Sequence, residues 1–190
     1  MTGYKSNVFY SKYHQKKLYG AKIEILDEDD PLGTAGCITI NLDRLNDNFW
    51  VFNGDSYFDC NLLSAHKAYS YDDALIVGTK SNETDRFGSI KFNKDMIVEG
   101  FIEKNASRKG GIINSGIYIF SKKLFYRFKD GYLSMEHDVL PELVKTRNLK
   151  IYIDEGYFID IGVPSSYKKA NIDFPEILTK PALFLDRDGT

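Results

Sequence analysis

Two β-branched and aromatic runs that each stop at an aspartate beside a glycine constrain this chain most: Val51-Phe52-Asn53-Gly54-Asp55 and Phe158-Ile159-Asp160-Ile161-Gly162. Runs of that composition and length read as buried strands, and in an α/β fold ligands gather at the carboxyl ends of strands. Two aspartates delivered there can hold Mg²⁺ against a polyphosphate, because that ion takes one or two carboxylates and fills its shell with phosphate oxygens and water. Either aspartate alone also reads as a strand-ending turn or a helix cap.

The rest of the chain alternates strands with helices. The pattern predicts an exposed helix over 6–18, a strand over 21–26, and a turn at Pro31-Leu32-Gly33-Thr34-Ala35-Gly36 opening a short helix that ends by Leu42. Strands follow at 50–53 and 74–79, with a helix over 61–69 between them. Strands at 89–92 and 96–103 pair around the turn Asn93-Lys94-Asp95, and a long strand covers 112–120. A helix over 135–145 is capped by Ser134, strands occupy 150–153 and 157–161, and Pro164 opens the last helix. This order implies an α/β fold with a mixed, mostly parallel sheet, since the hairpin-like middle cannot be all parallel.

Bulk properties narrow the function. The 190 residues suffice for one domain with a sizeable core, and a net charge of −2 gives no basis for nucleic-acid binding. Cys37 and Cys60 have no metal-ligand spacing and suggest no disulfide framework, which fits a reducing, cytoplasmic setting. The longest apolar runs are strand-sized, so no membrane span is expected. Tyr and Phe, 13 of each, leave aromatic surface for stacking on rings.

Smaller motifs lie between the aspartates. Leu32-Gly33-Thr34-Ala35-Gly36 is a small-residue loop before a helix; its glycines admit a close ligand or simply a tight turn. Glu103-Lys104 pairs a hydroxyl acceptor with a phosphate partner, although such a pair also decorates surfaces. Asn114-Ser115-Gly116 interrupts a β-prone run: Asn114 can donate to and accept from a hydroxyl, and a β-bulge is the alternative. Asp85-Arg86-Phe87-Gly88 reads as a turn in which Phe87 packs locally and the Gly88 amide can meet a sugar. His14, His66 and His137 have no partner at ligand spacing and read as structural or solvated.

Taken in order, these motifs, with Ile113 through Tyr118 and the terminal Phe158-Ile159-Asp160-Ile161-Gly162-Val163-Pro164, resemble the sugar-phosphate nucleotidylyltransferases. Within that group the likeness is to D-glycero-α-D-manno-heptose 1-phosphate guanylyltransferases, and it covers roughly residues 3 to 172. The resemblance implies a Rossmann-like nucleotide-diphospho-sugar transferase fold that joins a sugar 1-phosphate to a nucleoside triphosphate and releases pyrophosphate. The implied nucleotide is GTP and the implied sugar a heptose 1-phosphate, for cell-surface polysaccharide synthesis, with mannose or glucose 1-phosphate as the alternative. It implies that Asp55 and Asp160 hold catalytic Mg²⁺, that Leu32, Gly33, Thr34 and Gly36 line the nucleobase side, and that Gly88, Glu103, Lys104 and Asn114 grip the sugar and its phosphate. No serine, cysteine or histidine nucleophile is needed, because the sugar phosphate itself attacks. A non-catalytic sugar-phosphate-binding fragment is the rival reading.

The sequence departs from that family pattern in two places and carries a second resemblance at its end. Ser115 stands where relatives often carry glycine, a change expected to crowd the sugar pocket. The family's opening Gly-rich loop has no counterpart, so the chain is expected to lack the first βα unit and to self-associate through the edge this uncovers. Finally, Pro181 through Thr190, with Asp186-Arg187-Asp188-Gly189-Thr190, resembles the first motif of haloacid dehalogenase-type phosphatases such as heptose-bisphosphate phosphatases. The expected organisation is therefore a nucleotidyltransferase domain over 1–175 and the start of a phosphatase domain over 176–190, the middle of a bifunctional enzyme.

Overall fold

A computed structural model describes residues 2–3, 5–28, 30–71, 73–82, 87–102 and 110–179. Its centre is a four-stranded sheet ordered β3 (Asn48–Phe52), β8 (Gly111–Ser121), β5 (Ala74–Ser81), β9 (Leu149–Asp154). The strands β3, β5 and β9 share one direction and β8 runs against them, so the sheet is mixed, as its pattern requires. β5 and β8 lie in the middle and are buried along almost their whole length, which explains the apolar stretches 74–77 and 117–120.

Alternation along these strands divides the core in two. Ile76, Tyr118, Phe120 and Ile151 point to one face, where they meet Ala35, Phe125, Leu140 and Leu143. Leu75, Val77, Ile117 and Ile119 point to the other, against Phe58, Ala65 and Tyr69. The first face is covered by α2 (Gly33–Thr39) and by a π turn (Met135–Val139) continuing into α4 (Leu140–Lys145). The second is covered by α3 (Leu62–Ala68), whose first turn is capped by Asn61 accepting from the Ser64 amide. Two-stranded layers flank the sheet. The hairpin β6 (Ser89–Phe92) and β7 (Val98–Ile102) reaches β9 through an Ile151 amide bond to the Met96 carbonyl, 2.8 Å. The pair β4 (Ser56–Phe58) and β10 (Phe158–Asp160) is antiparallel and leads into α5 (Pro164–Ile177).

The amino-terminal segment differs from the sequence expectation. Its helix, α1, covers only Ser6–Tyr13, and the strand expected over 21–26 shortens to Ala21–Lys22. The cause is a hairpin of β1 (Lys17–Leu18) with β2 (Ala21–Lys22), turned by Tyr19 and Gly20 with φ of 48° and 88°, the doubly positive geometry that suits tight hairpins. The Ile25 amide then donates to His14 Nδ1, which gives that histidine a structural task.

Among the described residues β3 is paired on one side only, through β8. Unpaired strand rims template association, so the expected self-association predicts a mass that rises with protein concentration in light scattering. A constant monomer mass across that range would exclude it.

Candidate active site

The two strand-end aspartates meet. Asp160 ends β10 opposite Ser56 of β4, and the Ile161 amide donates to the Asp55 carbonyl at 2.8 Å. A methyl built on Gly162 would lie 3.2 Å from Asp160 Oδ1 and 3.6 Å from Asp55 Oδ2, so the two carboxylates flank one small space. The Gly162 amide donates to Asp160 Oδ1 (3.0 Å), and the Ser56 hydroxyl reaches Asp55 Oδ1 (3.4 Å). No group of three or more His, Cys, Asp or Glu able to hold a metal occurs among the described residues. A facing carboxylate pair suits Mg²⁺ of the kind completed by substrate phosphates rather than an all-protein cage.

Two clefts are lined by residues of these same segments. One, of about 280 Å³, is lined by Gly33, Thr34, Asn53, Tyr118, Tyr132 and Glu136, with His137 at the same wall. The other, of about 330 Å³, is lined by Phe87, Phe158, Asp160 and Lys169 among others. Asn53, two residues before Asp55, thus belongs to the first cleft and Asp160 to the second.

The glycine-rich loop has a task the sequence did not disclose. The amides of Ala35 and Gly36 both donate to the Leu133 carbonyl (3.0 and 3.1 Å), and the Leu133 amide donates to the Leu32 carbonyl at 2.8 Å. A Cβ on Gly36 would meet the Gly131 carbonyl oxygen at 2.3 Å. Leu32 and Gly36 are therefore spent on docking the chain's own segment 131–133, while Gly33 and Thr34 remain on the cleft wall. The close approach that glycine permits is made by backbone.

At 114–116 the bulge is real: pairing with β5 slips between Val77 and Gly78, and Gly116 has φ of 77°. Asn114 Nδ2 donates to Tyr118 Oη (2.6 Å) while its Oδ1 accepts from the Gly116 amide, so Asn114 backs the Thr34-side cleft through Tyr118. Burial pushes the Tyr118 hydroxyl well above its usual range, and the nearby Glu136 charge pushes the same way against the Asn114 bond. Ser115 does not crowd a pocket: it is 1% exposed and donates its hydroxyl to the Val77 carbonyl at 2.8 Å.

Gly88 adopts φ of 71°, and its neighbour Phe87 packs on Phe158 rather than locally, with ring centroids 5.7 Å apart. That contact joins the loop before β6 to the strand carrying Asp160. Glu103, Lys104, Asp85, Arg86 and the phosphatase-like stretch 181–190 lie outside the described residues. Tyr132, Glu136 and His137, which the sequence does not mark out as site residues, line the first cleft. Among the described residues, no helix is long and apolar enough to cross a membrane.

The sequence profile described as Nucleotidyl transferase matches residues 1–176. The chain is 33% identical to the D-glycero-alpha-D-manno-heptose 1-phosphate guanylyltransferase of Campylobacter jejuni, over 82% of this chain and 69% of that protein. It is 31% identical to the mannose-1-phosphate guanylyltransferase of Mycobacterium tuberculosis, over 96% of this chain and 53% of that one, so it spans about half of such relatives. The crystal structure of HddC from Yersinia pseudotuberculosis superposes with a TM-score of 0.80 at 32% identity, covering 90% of this chain and 76% of that chain. The same protein complexed with GMP-PN gives a TM-score of 0.77.

Proposed function

Because the chain belongs to the nucleotidyl transferase family, we propose that it transfers a guanylyl group from GTP to a manno-configured sugar 1-phosphate. A phosphate oxygen of the sugar 1-phosphate attacks the α-phosphorus, the bond from that phosphorus to the β-bridging oxygen breaks, and pyrophosphate leaves. Guanine is supported by the names of the relatives and by the GMP-PN complex of HddC. The manno configuration is what the heptose and mannose relatives have in common. These sugars differ only beyond C5, and the substrate is one or the other.

The observation that carries this reading is a pair of carboxylates facing one small space, one of them, Asp160, also lining a cleft. In-line transfer needs donor and acceptor held on opposite sides of the α-phosphate, with charge offset at that point and no protein nucleophile. In this scheme Asp55 and Asp160 hold Mg²⁺, which when bound neutralises charge on the phosphates. Gly33 and Thr34 shape the nucleotide side, with Leu32 and Gly36 fixing the wall behind them. Gly88, Glu103 and Lys104 are assigned to the sugar phosphate, while Asn114 braces the Tyr118 wall of the cleft beside Thr34.

The test is pyrophosphate release by the full chain with GTP and Mg²⁺, using mannose 1-phosphate and D-glycero-α-D-manno-heptose 1-phosphate in parallel. Release that requires one of these sugars and falls sharply when ATP replaces GTP is expected. A folded sample inert with both sugars sinks the assignment and leaves the non-catalytic binding fragment standing.

A further inference from the structure

We propose that α1 and the β1–β2 hairpin form a docking surface for an anionic lipid bilayer, met by the hairpin's lysines and its exposed aromatic tip. The proposal stands on this segment's own geometry and is independent of the reaction above. Between Met1 and Ile23 the sequence has Lys5, Lys12, Lys16, Lys17 and Lys22, and no arginine, aspartate or glutamate. The whole chain has slightly more acid than base, so positive charge is segregated here. α1 has no buried residue, and every position from 15 to 22 is exposed. The segment is nonetheless one hydrogen-bonded body. The Gln15 amide donates to the Ile23 carbonyl and the Ile23 amide to the Lys16 carbonyl, both at 2.8 Å.

Exposed lysines are ordinarily just solvated, but these differ in how they are placed. Lys17 and Lys22 stand directly opposite each other across the β1–β2 pair, where like charges are destabilising. Among the described residues neither they nor Lys16 form an ion pair, whereas Lys91, Lys145, Lys150 and Lys169 each have a carboxylate partner. The nearest acids along the chain are engaged elsewhere. Glu24 pairs with Arg44 at 2.5 Å, and Asp27 accepts from the Ser6 hydroxyl at 2.9 Å. At the hairpin tip Tyr19 has φ of 48°, a backbone state that bulky residues rarely adopt, and it is fully exposed. A tyrosine there is unfavourable for the free protein on both counts. Val8, Phe9 and Leu18 add exposed apolar surface to the same segment.

Unpaired lysines beside exposed aromatic and aliphatic side chains match an anionic membrane surface. There the cations meet headgroup phosphates, and a tyrosine ring sits at the boundary with the acyl chains. A lipid phosphate shared by Lys17 and Lys22 turns their mutual repulsion into a common attraction. Nucleic acid fits less well: the segment lacks the arginine fork suited to phosphate and base edges, and nucleic acid gives Val8 and Leu18 no task. Among the described residues no helix can span a bilayer, so the contact proposed is peripheral.

The test is sedimentation of the full chain with vesicles of equal parts phosphatidylglycerol and phosphatidylcholine, against phosphatidylcholine alone. Binding should require the anionic lipid and fade as salt rises, because surface charge is screened. Lys17→Glu removes a cation and sets an opposite charge across from Lys22. It should lower partitioning about tenfold or more while leaving the unfolding midpoint equal or higher. Tyr19→Asn suits the left-handed turn and should weaken binding about threefold with no loss of stability. Sedimentation with neither vesicle, equal sedimentation with both, or unchanged binding by Lys17→Glu overturns the proposal. Retention on single-stranded RNA without vesicle binding overturns it too. So does a concentration-dependent mass that Lys17→Glu abolishes while the vesicles stay bare, which gives the face to a second copy.

Discussion

Asp160→Asn should lower nucleotidyl transfer by about 10³-fold, equivalent to about 4 kcal/mol of lost transition-state stabilisation. The substitution keeps the side chain's size and leaves an oxygen to accept from the Gly162 amide, so the fold should persist. What it removes is one of the two charges facing across the space beside Gly162. The unfolding midpoint should move little, since half-exposed isosteric changes are usually within about 0.5 kcal/mol. The rate of wild type should saturate with added Mg²⁺ in a range where the variant's stays flat. Combining it with Asp55→Asn should cost little more than either alone, because groups that act as a unit are not additive. Activity within a few-fold of wild type in the single variant would remove the pair from the chemistry.

Gly33→Ala should destabilise the protein by about 2–5 kcal/mol, the sum of a left-handed conformation and an overpacked contact. Gly33 has φ of 74°, and a Cβ there would sit 2.6 Å from the Leu133 carbonyl oxygen, an atom that already accepts the Ala35 and Gly36 amides. Backbone cannot step aside as a flexible side chain can, so relief requires segment 131–133 to lift from α2. Because Tyr132 and Glu136 ride on or next to that segment, nucleotide binding should fall together with the urea midpoint. Gly100→Ala is the control: nothing lies within 4 Å of its built Cβ, and its change should stay within about 0.5 kcal/mol. Equal midpoints for the two variants would mean that the docking of 131–133 contributes nothing.

Much of the sheet was legible because its strands carry strong local signals. β5 reads as a strand from its apolar run and β8 from the β-prone residues around Asn114-Ser115-Gly116, and the turn before β7 from Asn93, whose side chain accepts the amides of Asp95 and Ile97. The aspartates could be located because each ends such a run. Their convergence was not legible, because β4 is only Ser56–Phe58 and owes its existence to pairing with β10, a hundred residues away in sequence. The same distance hid the partner of the glycine-rich loop. Gly33 and Gly36 announce close approach, yet nothing local says that Leu133 rather than a ligand makes it. At the amino terminus, the exposed helix expected over 6–18 ends early in a hairpin whose backbone reversal at Gln15 (φ 59°) no local pattern records.

Gly162 shows what the smallest residue guards. Its amide fixes one aspartate, and its bare α-carbon borders the gap that both acids overlook. An alanine methyl there would press on Asp160 at 3.2 Å and touch Asp55 at 3.6 Å, occupying room that a hydrated ion and a phosphate oxygen have to share. The strand end stays vacant by lacking a single carbon.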